Sequence, residues 1–318
     1  MSHQMSLLAG TDRHPDFEHV AVYHEGDEDL AERLTPHIAR ALDAGDAVLV
    51  SASAAACQRI AANLGPSSEQ VEYVADDVRY DHPNAAMRSV HDFVRSSIRN
   101  GARAAWTTGA IPFDDDSARN ADWMRYEQAV NEVLKHLPLR AVCAYDVGTT
   151  SPVLLHEAHG AHSSVDGAPV QRPDADPGVV MAPIELPNRE PLLYLQVQSS
   201  RSARHTVSEA YRELIGEDAL ADLTLIVSEV VSNALNHGAP PVTLTAWFRP
   251  DDATSVIDVS DHGNGIDDPF VDLRPPRQRP GGAGMWIVGQ LSERVRSRRT
   301  DGVHHVTAIV RHRAQSTD

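Results

Sequence analysis

The sequence predicts two domains of different class. The first is α/β, with a largely parallel sheet covered by helices on both faces. The second is α+β, with helices on one face of a mixed, mostly antiparallel sheet. Three observations predict this order. Short apolar runs alternate with helical patterns through the first half. In the second half one strand and two helices precede a series of strands. Between them, residues 157–191 are rich in Pro, Gly, Ser and Asp and keep no helical or strand periodicity. A chain of 318 residues is long enough for two cores. The expected division is a tail at residues 1–16, a first domain at 17–160, a linker at 161–190, a second domain at 191–313 and a tail at 314–318.

In the first domain, strands are expected at residues 19–23, 47–51, 71–74, 102–106 and 140–145, with a helix over 27–44. A further helix is expected over 117–137, because Trp123, Tyr126, Val130, Val133, Leu134 and Leu137 fall on one stripe. The second domain opens with a strand at 192–197 and helices at 203–215 and 220–237. Alternating segments follow at 242–248 and 255–260, then a Pro/Gly-rich loop, a helix at 283–293 and strands at 295–299 and 304–310.

Composition narrows the function. Hydrophobic residues at 42% and charged residues at 23% are ordinary globular values, which excludes a mostly disordered, collagen-like or membrane-spanning chain. The net charge of −17 repels phosphate, so no direct nucleic-acid partner is expected. Cys57 and Cys143 are too few for a disulfide scaffold or a four-cysteine metal site. The first 20 residues lack a signal-peptide core and no run of about 18 apolar residues occurs, so a cytoplasmic protein without membrane attachment is expected. Lys135 is the only lysine, which removes a P-loop lysine from the second half.

Three motifs in the second domain carry chemistry. On a helix, Leu223, Ile226, Val227, Val230, Val231 and Ala234 make an apolar stripe, while Glu229, Asn233, Asn236 and His237 stack on another face. A carboxylate beside a carboxamide suits Mg²⁺ bridging nucleotide phosphates, and a solvated polar face is the alternative. Next, Asp261 ends a strand and is followed by Gly263 and Gly265; the acid can accept from an exocyclic amine while the glycines admit a ligand to the backbone. An ordinary turn also uses these residues. Last, Gly281, Gly282 and Gly284 lead into a helix, whose free amides make a phosphate seat or merely a cap. Arg274, Arg277 and Arg279 lie in the intervening loop, where a mobile lid reaching phosphate competes with solvated arginines.

In this order the motifs resemble the GHKL ATPases, the family of histidine kinases, Hsp90, gyrase B and the anti-sigma-factor serine kinases, over residues 191–313. The resemblance implies a Bergerat-type ATPase domain binding ATP and Mg²⁺. Glu229, Asn233 and His237 match the N box, Asp261, Gly263 and Gly265 the first glycine box, and Gly282 and Gly284 the second. Thr307 matches the threonine that closes the adenine pocket, whereas Ala283 stands where many relatives carry a polar residue. Residues 161–190 offer no phosphoacceptor hairpin, which disfavours histidine autophosphorylation. The run from Ser228 to Gly238 resembles the anti-sigma-factor serine kinases instead. That likeness implies a sigma factor and a STAS-type antagonist as partners. It makes Glu229 the catalytic residue acting on the incoming hydroxyl and Asn233 the Mg²⁺ ligand. A non-catalytic nucleotide or partner switch is the other reading, and homodimerisation stays open.

Residues 17–159 resemble the MEDS sensory domain, through Phe17, Glu18, His19 and Tyr23, the run from Gly45 to Val50, and the run from Cys143 to Asp146. The resemblance implies a small sensed ligand. His19 and Cys143 are candidate contacts if both lie at strand ends, against a packed histidine and a structural cysteine. His156, His159 and His162 are spaced by three rather than four, and Gly160 is expected to interrupt a helix, so this run reads as solvated linker rather than a zinc site. Arg294, Arg296, Arg298 and Arg299 read as a solvated strand face.

Overall fold

Strand β1 (Glu18–His24) is followed by helix α1 (Gly26–Asp43), whose first turn carries Asp27, Glu28 and Asp29 against the helix dipole. Then come β2 (Ala47–Ala52), α2 (Ala54–Leu64), β3 (Val71–Ala75), the single turn α3 (Asp76–Arg79) and α4 (Pro83–Arg99). The remainder is β4 (Ala105–Ala110), α5 (Ser117–Val133), β5 (Leu139–Asp146), α6 (Pro152–Ala161), β6 (Ser164–Val165) and β7 (Ala168–Pro169). The computed structural model describes residues 17–111, 113–170, 184–276 and 282–312, with backbone alone at 77 and 78. The chain divides into two units near residue 180.

In the first unit the strands lie in the order β3-β2-β4-β5-β1-β6-β7, and every pairing except β6 with β7 is parallel. Side-chain alternation splits the sheet into two apolar faces. Val22, Val48, Val50, Val142 and Ala144 pack with residues of α1 and α2. Ala21, Cys143 and Tyr145 pack with Met124 of α5 and Ala158 of α6. Helices therefore cover both faces, as the sequence predicts.

Three expectations change here. The fourth strand begins at Ala105, three residues later than its apolar run suggests. Gly160 does not end a helix at its position, since α6 runs through it to Ala161. The first sheet also reaches past residue 160, because β6 and β7 pair beside β1.

The second unit holds β8 (Leu193–Gln196), α7 (Ser200–Tyr211), α8 (Glu217–His237), β9 (Thr243–Arg249), β10 (Thr254–Asp261), α9 (Gly284–Leu291), β11 (Arg294–Thr300) and β12 (Val303–Arg311). Its sheet runs β11-β12-β10-β9-β8, and every pair is antiparallel rather than mixed. Asp301 and Gly302 both take positive φ, 52° and 82°, and make the two-residue turn joining β11 to β12. One core unites the apolar stripe of α8 with Ala203 and Val207 of α7, Met285 and Val288 of α9, and Leu244, Ile257, Val259, Val306 and Ala308 of the sheet. Because the stripe is spent on the core, the opposite flank of α8 is free to carry polar groups. Among the described residues no helix is long and apolar enough to cross a membrane.

Leu223 is fully buried in α8 while Leu225, two residues on, is 41% exposed. Leu223→Ala should therefore cost about 2–5 kcal/mol in denaturant unfolding, and Leu225→Ala no more than about 0.5 kcal/mol.

Candidate functional site

Glu229 and Asn233 are half-buried on the flank of α8, and Asn236 and His237 are exposed toward its C-terminus. The chain leaves α8 at Gly238 and meets the end of β10. A Cβ on Gly238 would sit 2.4 Å from Asp261 Oδ1, and one on Gly263 would sit 2.6 Å from the Gly238 Cα. Only glycine permits this approach of backbone to backbone. Further along, a Cβ on Gly284 would lie 2.5 Å from Glu229 Oε2 and 3.7 Å from Asn233 Nδ2. The start of α9 thus stands against the same flank of α8. Glu229, Asn233, Asp261, Gly263 and Gly284 are brought together around one helix.

Asp261 is 3% exposed. Its Oδ1 accepts from the amides of Gly263 (2.6 Å) and Ala239 (3.3 Å), and its Oδ2 lies 3.0 Å from His304 Nδ1. Burial alone would raise the carboxyl, but these hydrogen bonds outweigh it and hold Asp261 below the usual carboxylate value. His304 is fixed in turn by Ser297 Oγ, 2.9 Å from its Nε2. A carboxylate offers about four acceptor directions, so one remains on Oδ2. Together with the oxygens of Glu229 and Asn233 and the N-terminus of α9, the donor set fits a metal-bridged nucleotide.

The first unit contains a second cluster. His19 of β1, Glu127 of α5, Cys143 of β5 and His162, which follows α6, are all buried and place one ligand atom each within 4.8 Å of the others. Glu127 Oε2 lies 3.0 Å from His19 Nε2 and 3.1 Å from His162 Nε2, and Cys143 Sγ lies 3.3 Å from His19 Nε2. The two carboxylate contacts lack hydrogen-bond geometry, and both Glu127 oxygens are buried without a hydrogen-bond partner. Burial, then the adjacent His162, lowers His19 to about 4. Burial pushes the Cys143 thiol well above its usual range, with the Glu127 charge adding to it. Burial would also raise Glu127, but His162 and His19 outweigh it and keep the carboxylate ionised. Beside Cys143 is a cavity of ≈ 10 Å³ lined by Arg79, Tyr80, Thr107, Gly109 and Tyr126, among others, space for about one water.

Two family models match the chain. Residues 18–163 match MEDS, the MEthanogen/methylotroph, DcmR Sensory domain. Residues 195–310 match the Histidine kinase-like ATPase domain. The chain joins a MEDS domain to a histidine kinase-like ATPase domain. That composition belongs to a regulatory, kinase-like ATPase. No curated protein matches the chain.

Within the ATPase domain several expected residues lie apart from the pocket or are engaged elsewhere. Thr307 pairs across the sheet with Asp258, not Asp261, and its hydroxyl donates to Asp258 Oδ1 at 2.7 Å. The residue opposite Asp261 is His304, which no motif marks, because only the antiparallel register decides which residue of β12 meets Asp261. Gly265 packs against the His304 ring, and Gly282 has a positive φ of 82° at the approach to α9. Arg274 does not extend from a free lid: it is paired with Asp268 at 2.6 Å, and neighbouring Leu273 is fully buried. Gly281, Arg277 and Arg279 lie outside the described residues. Arg296 is buried rather than solvated, and that burial lowers it to about 10.

Within the MEDS domain, Cys143 lies mid-strand and His19 near the amino end of β1, so neither occupies the carboxyl-end crevice of a parallel sheet. His162, expected in solvated linker, is fully buried. Its position after a helix that Gly160 was expected to break concealed it. Glu127 escaped notice because its helix was expected to bury one apolar stripe, whereas α5 is buried on nearly all sides. An acid amid Trp123, Tyr126 and Val130 was the available signal.

Three variants test this geometry. A Cβ at Gly263 meets backbone, whereas one at Gly284 meets only the end of the Glu229 side chain. Gly263→Ala should destabilise the protein by about 1–3 kcal/mol, while Gly284→Ala should melt near the parent temperature and displace Glu229. His304→Ala withdraws a donor from a buried carboxylate and should cost about 1–3 kcal/mol at neutral pH. Asp261 has a depressed pKa, so its contribution is present above the unfolded value and lost as pH falls through the folded one. Acid unfolding of His304→Ala, followed by tryptophan fluorescence, should therefore begin at higher pH.

Proposed function

We propose that the protein is an ATP-binding anti-sigma-factor regulator that phosphorylates a serine or threonine of a STAS-type antagonist and sequesters a sigma factor, under control of its MEDS domain. The observation that carries this reading is the approach of Gly284, at the start of α9, to Glu229 and Asn233 on α8. It sets free helix amides beside a carboxylate and a carboxamide, the groups that phosphoryl transfer requires.

When bound, Mg-ATP supplies the transferable phosphoryl group and the cation that offsets its charge. Glu229 orients the incoming hydroxyl and accepts its proton at a carboxylate oxygen. The Asn233 amide oxygen holds Mg²⁺. The amides around Gly282 and Gly284 seat phosphate oxygens, and His237 stands near the C-terminal end of the same polar flank. The remaining lone pair of Asp261 Oδ2 accepts from the adenine amine, with Gly263 and Gly265 admitting the base. Thr307 takes no part in this pocket: its hydroxyl donates to Asp258, and both alternate with Ile257, Val259, Val306 and Ala308, which face α8.

A second reading is a nucleotide-dependent switch without catalysis. Ala283 favours it, since the N-cap of α9 offers no side-chain hydrogen bond. Incubating the full chain with radiolabelled Mg-ATP and candidate antagonists separates the two. The kinase reading expects label on antagonist serine or threonine, and a fall of about 10²–10⁴-fold in rate for Glu229→Ala while ATP still binds in calorimetry. Asn233→Ala should lose transfer as well. Undiminished transfer by both variants overturns these roles, and ATP binding with no labelled protein leaves the switch.

A further inference from the structure

We propose that His19, Glu127, Cys143 and His162 form a divalent transition-metal site in the MEDS domain, with Zn²⁺ the ion that best fits the set. This inference is independent of the ATPase pocket. Four donors of three chemical kinds, two imidazole nitrogens, a carboxylate and a sulfur, come from β1, α5, β5 and the residue after α6 and converge within 4.8 Å. Two imidazoles with one sulfur and one oxygen are borderline-soft ligands that suit four-coordinate zinc.

The outer nitrogens are already committed. Asn131 Nδ2 donates to the carbonyls of Ala161 (2.8 Å) and Glu127 (3.3 Å), which turns its Oδ1 toward His19 Nδ1 at 3.1 Å. That oxygen can only accept, so Nδ1 carries the proton. His162 Nδ1 likewise donates to the Ala158 carbonyl at 2.6 Å. In neutral rings both Nε2 lone pairs then face the cluster, the arrangement that outer partners impose on zinc-binding histidines. Here they face a carboxylate that has no hydrogen-bond partner among the described residues. A cation between the carboxylate and the two Nε2 atoms, which stand 3.0 and 3.1 Å from it, would be attracted by all three groups at once.

Charge and size agree with zinc. A thiolate and a carboxylate neutralise a 2+ ion, leaving no net charge in a site where His19, Glu127 and His162 are fully buried. Bond lengths of about 2.0–2.3 Å around a tetrahedral ion separate the ligand atoms by about 3.3–3.8 Å. The contacts of 3.0 to 3.3 Å would open by a few tenths of an ångström, and pairs standing as far as 4.8 Å apart would close by about 1 Å. On binding, a Zn–S bond replaces the Cys143 S–H bond, the proton leaves to solvent, and no electron is transferred. The ion would tie the central strands β1 and β5 to both helices of that face.

The test uses the full chain, stripped with chelator and titrated with Zn²⁺ or Co²⁺ alone. The expected result is one tightly held ion and a sulfur-to-cobalt charge-transfer absorption. Since Cys57 and Cys143 are the only thiols, Cys143→Ser should lose that absorption and Cys57→Ser should keep it. Asn131→Ala should retain the absorption but weaken binding about 10- to 100-fold. The wild-type spectrum needs no variant to fold. Absence of the absorption, metal held without it at surface histidines, or its loss in Cys57→Ser instead of Cys143→Ser would each overturn the site and leave a proton-bridged cluster.

Discussion

The second unit depends on the close approach of two backbones, where the C-terminus of α8 meets the loop leaving β10. Gly238 and Gly263 have no room for side chains there, and Asp261 closes the junction by accepting amides from both sides. This contact sets how far the polar flank of α8 stands from the sheet end. The start of α9 then meets the same flank at Glu229. A pocket built this way holds its shape through main-chain proximity, and its polar side chains are left for ligand chemistry.

The first unit solves a different problem. Its parallel sheet buries apolar side chains on both faces, yet one face also encloses an ionised carboxylate, two imidazoles and a thiol. Such groups are costly to remove from water unless they are paired. Their placement at the centre of the sheet, under two helices, ties the stability of this domain to whatever neutralises them.

The fold was largely legible because periodicity reports which face of an element is apolar, and both units follow it closely. The apolar stripe of α8 and the alternation in β9, β10 and β12 are examples. The glycines of the second unit were legible too, since close packing has few substitutes for glycine. What could not be read was pairing between distant residues. Thr307 and His304 are three residues apart on one strand, and only antiparallel register decides which of them meets Asp261. The ion pair of Arg274 with Asp268, which turns it from phosphate, is likewise a contact that no motif marks.

By itself, the amino-acid order determined the two domain classes, the helices and strands, and the three motifs that line one flank of α8, because each is a local pattern of side-chain size and polarity. Tertiary structure alone decided that His162 lies in the core rather than in a linker, and that it meets Glu127, His19 and Cys143. Those four residues span more than a hundred positions of chain, and no local pattern encodes which buried groups a folded sheet and its helices bring within bonding distance.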